Sequence, residues 1–175
     1  MRTLNDAAQA LAQGTHTSRD LVEACLDRIV DPAGEGTRAF VKTYPTQARA
    51  AADAMDGLRR AGRAPSRFAG IPISLKDLFD VAGEPTPAAS LILAEAPPAK
   101  TDAPIVQRLL AAGFILIGRT NMTEFAFSGV GINPHHGTPR APYDRASGRI
   151  PGGSSSGAAV SVADGMAFAG IGTDT

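Results

Sequence analysis

Charge of one sign is what this sequence most clearly lacks. Lys and Arg together number 17, Asp and Glu number 17, and the formal net charge is zero. Such a balance gives no electrostatic reason to seek a nucleic-acid backbone or an anionic membrane as partner, and leaves a small neutral substrate unaffected. Cysteine is nearly absent. Cys25 stands alone, which excludes an internal disulfide and reads as a small buried side chain on a helix. Long apolar runs are missing, and no stretch approaches the ~20 residues that span a bilayer. Asp6 arrives before any apolar run, so no secretory leader is expected and the cytoplasm is the expected compartment. Neither repeats nor low-complexity tracts occur. What is present is 43% hydrophobic and 19% charged residues, the composition of a chain that folds.

Periodicity organises the rest. Residues 4–13 read as a short helix stopped at Gly14, and 18–30 as a second helix. The second places Leu21, Val22, Cys25, Leu26 and Ile29 on one face, with Thr17 or Ser18 as cap and Pro32 at its end. Residues 40–43 alternate as a strand, and 47–60 form an alanine-rich helix closed by Gly62. A short strand over 71–75 ends at the charged pair Lys76-Asp77. Residues 83–98 carry four prolines and read as a long surface excursion. Asp102 is placed to cap a helix containing Ile105, Val106, Leu109 and Leu110, ended by Gly113. The continuous apolar run 114–118 suits a strand buried on both faces. A loop over 133–151, a helix over 156–163 and a strand over 166–173 complete the pattern. Alternation of helix and strand from residue 47 onward predicts an α/β fold with a mostly parallel or mixed sheet. The chain ends directly out of a predicted buried strand, which reads as a cut.

Few segments can carry chemistry. Gly152-Gly153-Ser154-Ser155-Ser156-Gly157 sets three hydroxyls after two glycines at a helix start. Its glycines permit unusual backbone, and a helix start offers free N–H groups to an anion or a developing oxyanion. A flexible linker or a plain helix cap is the competing reading. The segment also satisfies the nucleophile-elbow spacing with Ser155 at its centre. That motif needs a strand before it and a histidine after it. Residues 147–151 read as loop, and no histidine follows Gly157. Lys76, at the end of an apolar strand, is a candidate base if burial lowers its pKa, against the reading of Lys76-Asp77 as a solvated pair. His135 and His136 are adjacent and lack helically spaced partners for a metal. Asp77 and Asp80 read as solvated, and a phosphate-loop motif is absent.

Taken together, these residues resemble the amidase signature family. Gly70-Ile71-Pro72-Ile73-Ser74-Leu75-Lys76-Asp77 resembles the strand that delivers that family's lysine, and Gly118-Arg119-Thr120-Asn121-Met122-Thr123-Glu124-Phe125 its strand-then-helix segment. Residues 148–157 followed by Gly172-Thr173-Asp174-Thr175 resemble the signature itself, and 18–26 the early helix. The likeness covers nearly the whole chain. It is the four motifs in order, more than any one of them, that make it specific.

The resemblance implies an α/β/α fold with a mixed sheet, in which residues 1–66 form a mostly helical outer segment and 67–175 begin the catalytic core. It implies hydrolysis or transfer of an amide group by a Ser–cis-Ser–Lys triad, without metal or organic cofactor, on a small-molecule amide. Lys76 would be the general base and Ser154 the bridging serine, held by a cis peptide bond. In the family pattern Thr-Asp-Thr runs on into Gly-Gly-Ser, whose serine is the nucleophile, so that residue would lie beyond Thr175. The Thr175 amide and Ser155 would belong to the oxyanion or substrate site, and Ala126 would line the acyl pocket. A glutamine-hydrolysing component of a tRNA-dependent amidotransferase, working with partner subunits, is the alternative within the family. A homo-oligomer is compatible with either, and a non-catalytic fragment is the alternative outside enzymes.

Overall fold

The computed structural model describes residues 3–174. Helix α1 (Leu4–Gln13) opens on Thr3, whose hydroxyl accepts the Asp6 amide while the Asp6 carboxylate accepts that of Thr3, and it ends on Gly14 at φ 68°. Helix α2 (Ser18–Val30) repeats the device with Thr17 and Asp20. These reciprocal bonds satisfy amides that the first helical turn leaves free. Helix α2 buries Leu21, Val22, Cys25, Leu26 and Ile29, the face its spacing predicts. A one-turn helix α3 (Gly36–Ala39) leads into strand β1 (Phe40–Thr43). It is too short to show a period and is not visible in the sequence. Helix α4 (Pro45–Arg60) starts ahead of the predicted residue 47, with Pro45 in the first turn, where a missing N–H costs nothing.

Strands β2 (Pro72–Lys76), β3 (Ile115–Thr120) and β4 (Ala169–Ile171) join β1 in one sheet of order β1-β3-β2-β4. β1 runs antiparallel to β3, whereas β2 is parallel to both β3 and β4. The architecture is α/β with a mixed sheet. β2 therefore lies inside the sheet with every residue buried, and Lys76 sits at its C-terminal end opposite Thr120. Ends of interior parallel strands are where α/β folds place functional groups. β4 is shorter than the predicted 166–173. Met166 and Ala167 fold back as turn and core instead, their amides bonded to the Ser161 carbonyl.

The main core joins α2 (Val22, Cys25, Leu26, Ile29), α4 (Ala48, Ala52) and β3 (Ile115, Ile117) to Val160 of helix α6 (Ser156–Ala163). A second cluster holds α1 against Leu21 and Ile71. Helix α5 (Pro104–Ala111) begins on Ala103. Asp102 does not cap it: its carboxylate accepts the Ala82 amide at 2.7 Å instead. Nor is 83–98 wholly a surface excursion, because Ala88, Ala89 and Ser90 are buried. Among the described residues no helix is long and apolar enough to cross a membrane.

Candidate active site

Alternation along β2 sends Ser74 and Lys76 to the same face. That face carries α6. The Ser74 hydroxyl meets Ser161 Oγ at 2.8 Å, and Lys76 Nζ donates to Ser154 Oγ at 2.6 Å. Two consecutive same-face residues of one strand thus engage the helix and the bend that precedes it. Lys76 is 0% exposed. Its Nζ makes a second hydrogen bond, to Thr173 Oγ1 at 2.6 Å.

The neighbouring carboxylate does not neutralise it. Asp77 turns away and pairs with Arg119 at 2.7 Å, both side chains being 2% exposed. Arg119 also donates to the carbonyls of Pro85 and Phe79. Among the described residues Lys76 has hydroxyl partners and no ion pair. Burial disfavours the ammonium and pulls the Lys76 pKa below the ordinary lysine value. Burial likewise raises that of Asp77, against the opposing charge of Arg119. The solvated Lys76-Asp77 pair expected from the sequence is therefore corrected: both are buried, with separate partners. Asp80 is exposed and accepts the Thr86 hydroxyl.

Ser154 stands on a backbone bend fixed from both sides. The Gly153–Ser154 peptide bond is cis. The Gly153 amide donates to the Gly129 carbonyl at 2.8 Å, and the Ser154 carbonyl accepts the Thr123 amide at 3.0 Å. Gly131, at φ 80°, lets the 129–131 backbone approach so closely that a Cβ there would lie 2.1 Å from the Gly152 carbonyl oxygen. Only glycine fits such a contact. The Ser155 hydroxyl accepts the Thr173 amide at 3.2 Å and faces the Thr173 carbonyl at 3.3 Å. It ties the 173 segment to the bend and makes no capping bond to α6.

Lys76, Ser154 and Ser155 are thus brought together. Ala126 sits half-buried in a short 3-10 turn, Glu124–Ala126, packed on Ala88, Ala89 and Met122. Thr175 lies outside the described residues. His135 Nε2 lies 3.2 Å from a carboxylate oxygen of Glu124. Sequence reasoning missed Thr173 as a partner of the amine, although it had singled out the Gly-Thr-Asp-Thr segment. It also missed Arg119, whose value lies in a carboxylate 42 residues away that no local pattern reveals.

Comparison with known proteins gives a consistent result. The family model described as Amidase matches residues 20–175. The chain is 44% identical over 173 residues, 99% of its length, to the A subunit of glutamyl-tRNA(Gln) amidotransferase from Chloroflexus aggregans, and covers 35% of that protein. It is 41% identical over 176 residues to AtzE, the 1-carboxybiuret hydrolase component from Pseudomonas sp. strain ADP, with all of this chain and 37% of that protein covered. The solved native peptide amidase from Stenotrophomonas maltophilia is similar in fold at a TM-score of 0.80, with 36% identity over 94% of this chain and 34% of that one. The chain spans little more than a third of the length of the curated relatives it matches.

Proposed function

This chain belongs to the amidase family, and on that premise we propose that it supplies the base and the bridging serine of an enzyme that hydrolyses a carboxamide C–N bond. The observation that carries the reading is the contact of a fully buried Lys76 amine, without a counter-ion among the described residues, with Ser154 Oγ at 2.6 Å. A desolvated neutral amine takes a proton at a pH where an exposed lysine holds one. Lys76 takes the proton of Ser154 while Ser154 takes that of the nucleophilic hydroxyl, which the family pattern places just beyond the Thr173-Asp174-Thr175 run. Attack on the carbonyl carbon makes a tetrahedral oxyanion, held by backbone N–H groups that the pattern places from Thr175 onward. The C–N bond then breaks, the proton held by the relay goes to the departing nitrogen, and water releases the acyl group by the same path. Residues 67–175 begin the catalytic core, and 1–66 form a mostly helical segment outside it that also contributes the edge strand β1. Ala126 borders the acyl side of the site.

In the protein that carries the nucleophile, Lys76→Ala and Ser154→Ala each lower amide turnover by about 10²–10⁴-fold, the usual worth of a positioned base. Near-normal rates in either variant would falsify the assignment. The 175 residues alone are expected to turn over no amide, an outcome that ammonia release checks. A second reading, supported by the 44% identity to an amidotransferase component, is glutamine hydrolysis within a multisubunit complex. Glutaminase activity that appears only with partner subunits would select it. Turnover of other carboxamides without partners would select the simple amidase.

A further inference from the structure

We propose that Asn133 is a positioning residue for the Lys76–Ser154 pair, acting through the backbone segments on which the two side chains stand. The inference deepens the function proposed above and rests on it. Asn133 is 1% exposed and lies at the head of the 133–151 loop. Its Nδ2 donates to the carbonyls of Ala89 and Met122, each at 2.9 Å. Its Oδ1 accepts the amides of His135 at 2.8 Å and His136 at 3.0 Å. A side-chain amide has two donor hydrogens and two acceptor lone pairs, and here all of them are used on backbone.

The two carbonyls belong to segments that lead to the two halves of the site. On one side, the Ala89 amide donates to the Asp77 carboxylate at 2.8 Å and the Ala88 amide to the Asp77 carbonyl at 3.1 Å. Asp77 is the residue next to Lys76. On the other side, Met122 precedes Thr123, whose amide holds the Ser154 carbonyl at 3.0 Å. A cross-link joins the two: the Phe125 amide donates to the Ala88 carbonyl at 3.1 Å. Ala88, Ala89, Phe125 and Ala126 all have φ between 52° and 58°, a left-handed conformation that is unfavourable for residues with a Cβ. Such backbone persists where surrounding bonds over-determine it, and the Asn133 side chain supplies one of those bonds, to the Ala89 carbonyl, and a second to Met122, three residues before Phe125. Both donors and both acceptors are required at one point, so a shorter polar or an apolar side chain leaves buried backbone groups bare.

The test uses the whole 175-residue chain and reads the titration of Lys76 by NMR of lysine side chains. Lys42 and Lys100 are the other two lysines of the sequence, so three side-chain signals are to be assigned. In wild type the Lys76 midpoint lies below the ordinary lysine value. Asn133→Ser moves it upward toward that value and cuts hydrogen-exchange protection of the Thr123 amide about tenfold. Ile29→Val, a mild change in the remote core, moves neither. The inference is overturned if Asn133→Ser leaves the Lys76 midpoint unchanged, or if Ile29→Val moves both readouts equally. Should Asn133→Ser fail to fold, Thr138→Val removes only the hydroxyl that accepts the backbone N–H of Asn133 at 3.1 Å. It is expected to shift Lys76 less but in the same direction, and no shift overturns the inference. If wild-type Lys76 titrates at the ordinary lysine value, it is the proposed function that falls. A low midpoint in wild type that stays low in Asn133→Ser spares the function and removes Asn133 from it.

Discussion

Lys76 owes its character to where the strand ends. Had β2 stopped a residue earlier, the amine would reach water; as β2 continues through Lys76, the side chain is enclosed between the 154 bend and Thr173. The placement of Lys76 at a strand end was legible in the sequence, because an apolar strand leads into a lysine. Its burial was not, because the adjacent Asp77 imitates a solvated surface pair until Arg119 arrives from β3 to claim it. A pH signature follows. Burial lowers the folded-state pKa of Lys76 below 10.5. Below the folded value both states carry the charge, and the full cost of burying it is felt. Between the folded value and the unfolded one, the unfolded chain holds a proton that the folded chain has lost, so stability rises with pH across that window. Lys76→Met keeps most of the side-chain volume and removes the titration. Urea denaturation from neutral pH upward is expected to show wild type gaining stability relative to Lys76→Met through that window, while Cys25, whose thiol pKa is pushed up to about 12 by burial, lowers the stability of both proteins alike as pH rises. Parallel profiles would remove burial as the cause. If Lys76 is the base as proposed, the rate of the nucleophile-bearing protein is expected to share that sign, rising with pH as Lys76 loses its proton.

At the scale of elements, local devices can be read from the residue order and distant ones cannot. The start of α2 shows both. Thr17 and Asp20 form a capping box within four residues, and the spacing alone suggests it. The next two amides, of Ser18 and Arg19, are taken at 2.7 and 3.1 Å by the carboxylate of Asp56, which is buried on α4. Nothing near Asp56 in the sequence marks it as a helix cap. The same contrast explains Asp102, locally a good cap for α5 yet used by Ala82, and the proline-rich 83–98 stretch, which delivers Ala88 and Ala89 to the core because Asp77 and Asn133 bind their backbone. Thr17→Ala is expected to cost about 1 kcal/mol. Asp56→Ala leaves two helix-start amides and a buried site unpaired, and is expected to cost roughly 2–3 kcal/mol. Denaturant midpoints should rank the variants in that order. The reverse order would mean that the link between α2 and α4 is carried by side-chain packing and that Asp56 is incidental.

On the scale of the whole molecule, the sheet has two unequal margins. β1 at one edge leads directly into α4, and its neighbour β3 packs on α4 and α2. β4 at the other edge is three residues long and pairs only with β2 among the described residues. An unpaired edge offers free N–H and C=O groups to another chain. Large apolar side chains add a second source of adhesion around the 125–150 loops, where Phe127 is 92% and Tyr143 90% exposed. Zero net charge removes the long-range repulsion that would otherwise keep copies apart. The 175-residue chain is therefore expected to self-associate, with sedimentation showing mass that grows with concentration. Phe127→Ser separates the two causes. If association persists in that variant, the β4 edge carries it; if it disappears, the exposed loop patch does. A chain that sediments as a monomer across the concentration range and melts sharply would show that three residues of open edge are too short to template pairing, and that scattered apolar loops on a neutral surface do not suffice to hold copies together.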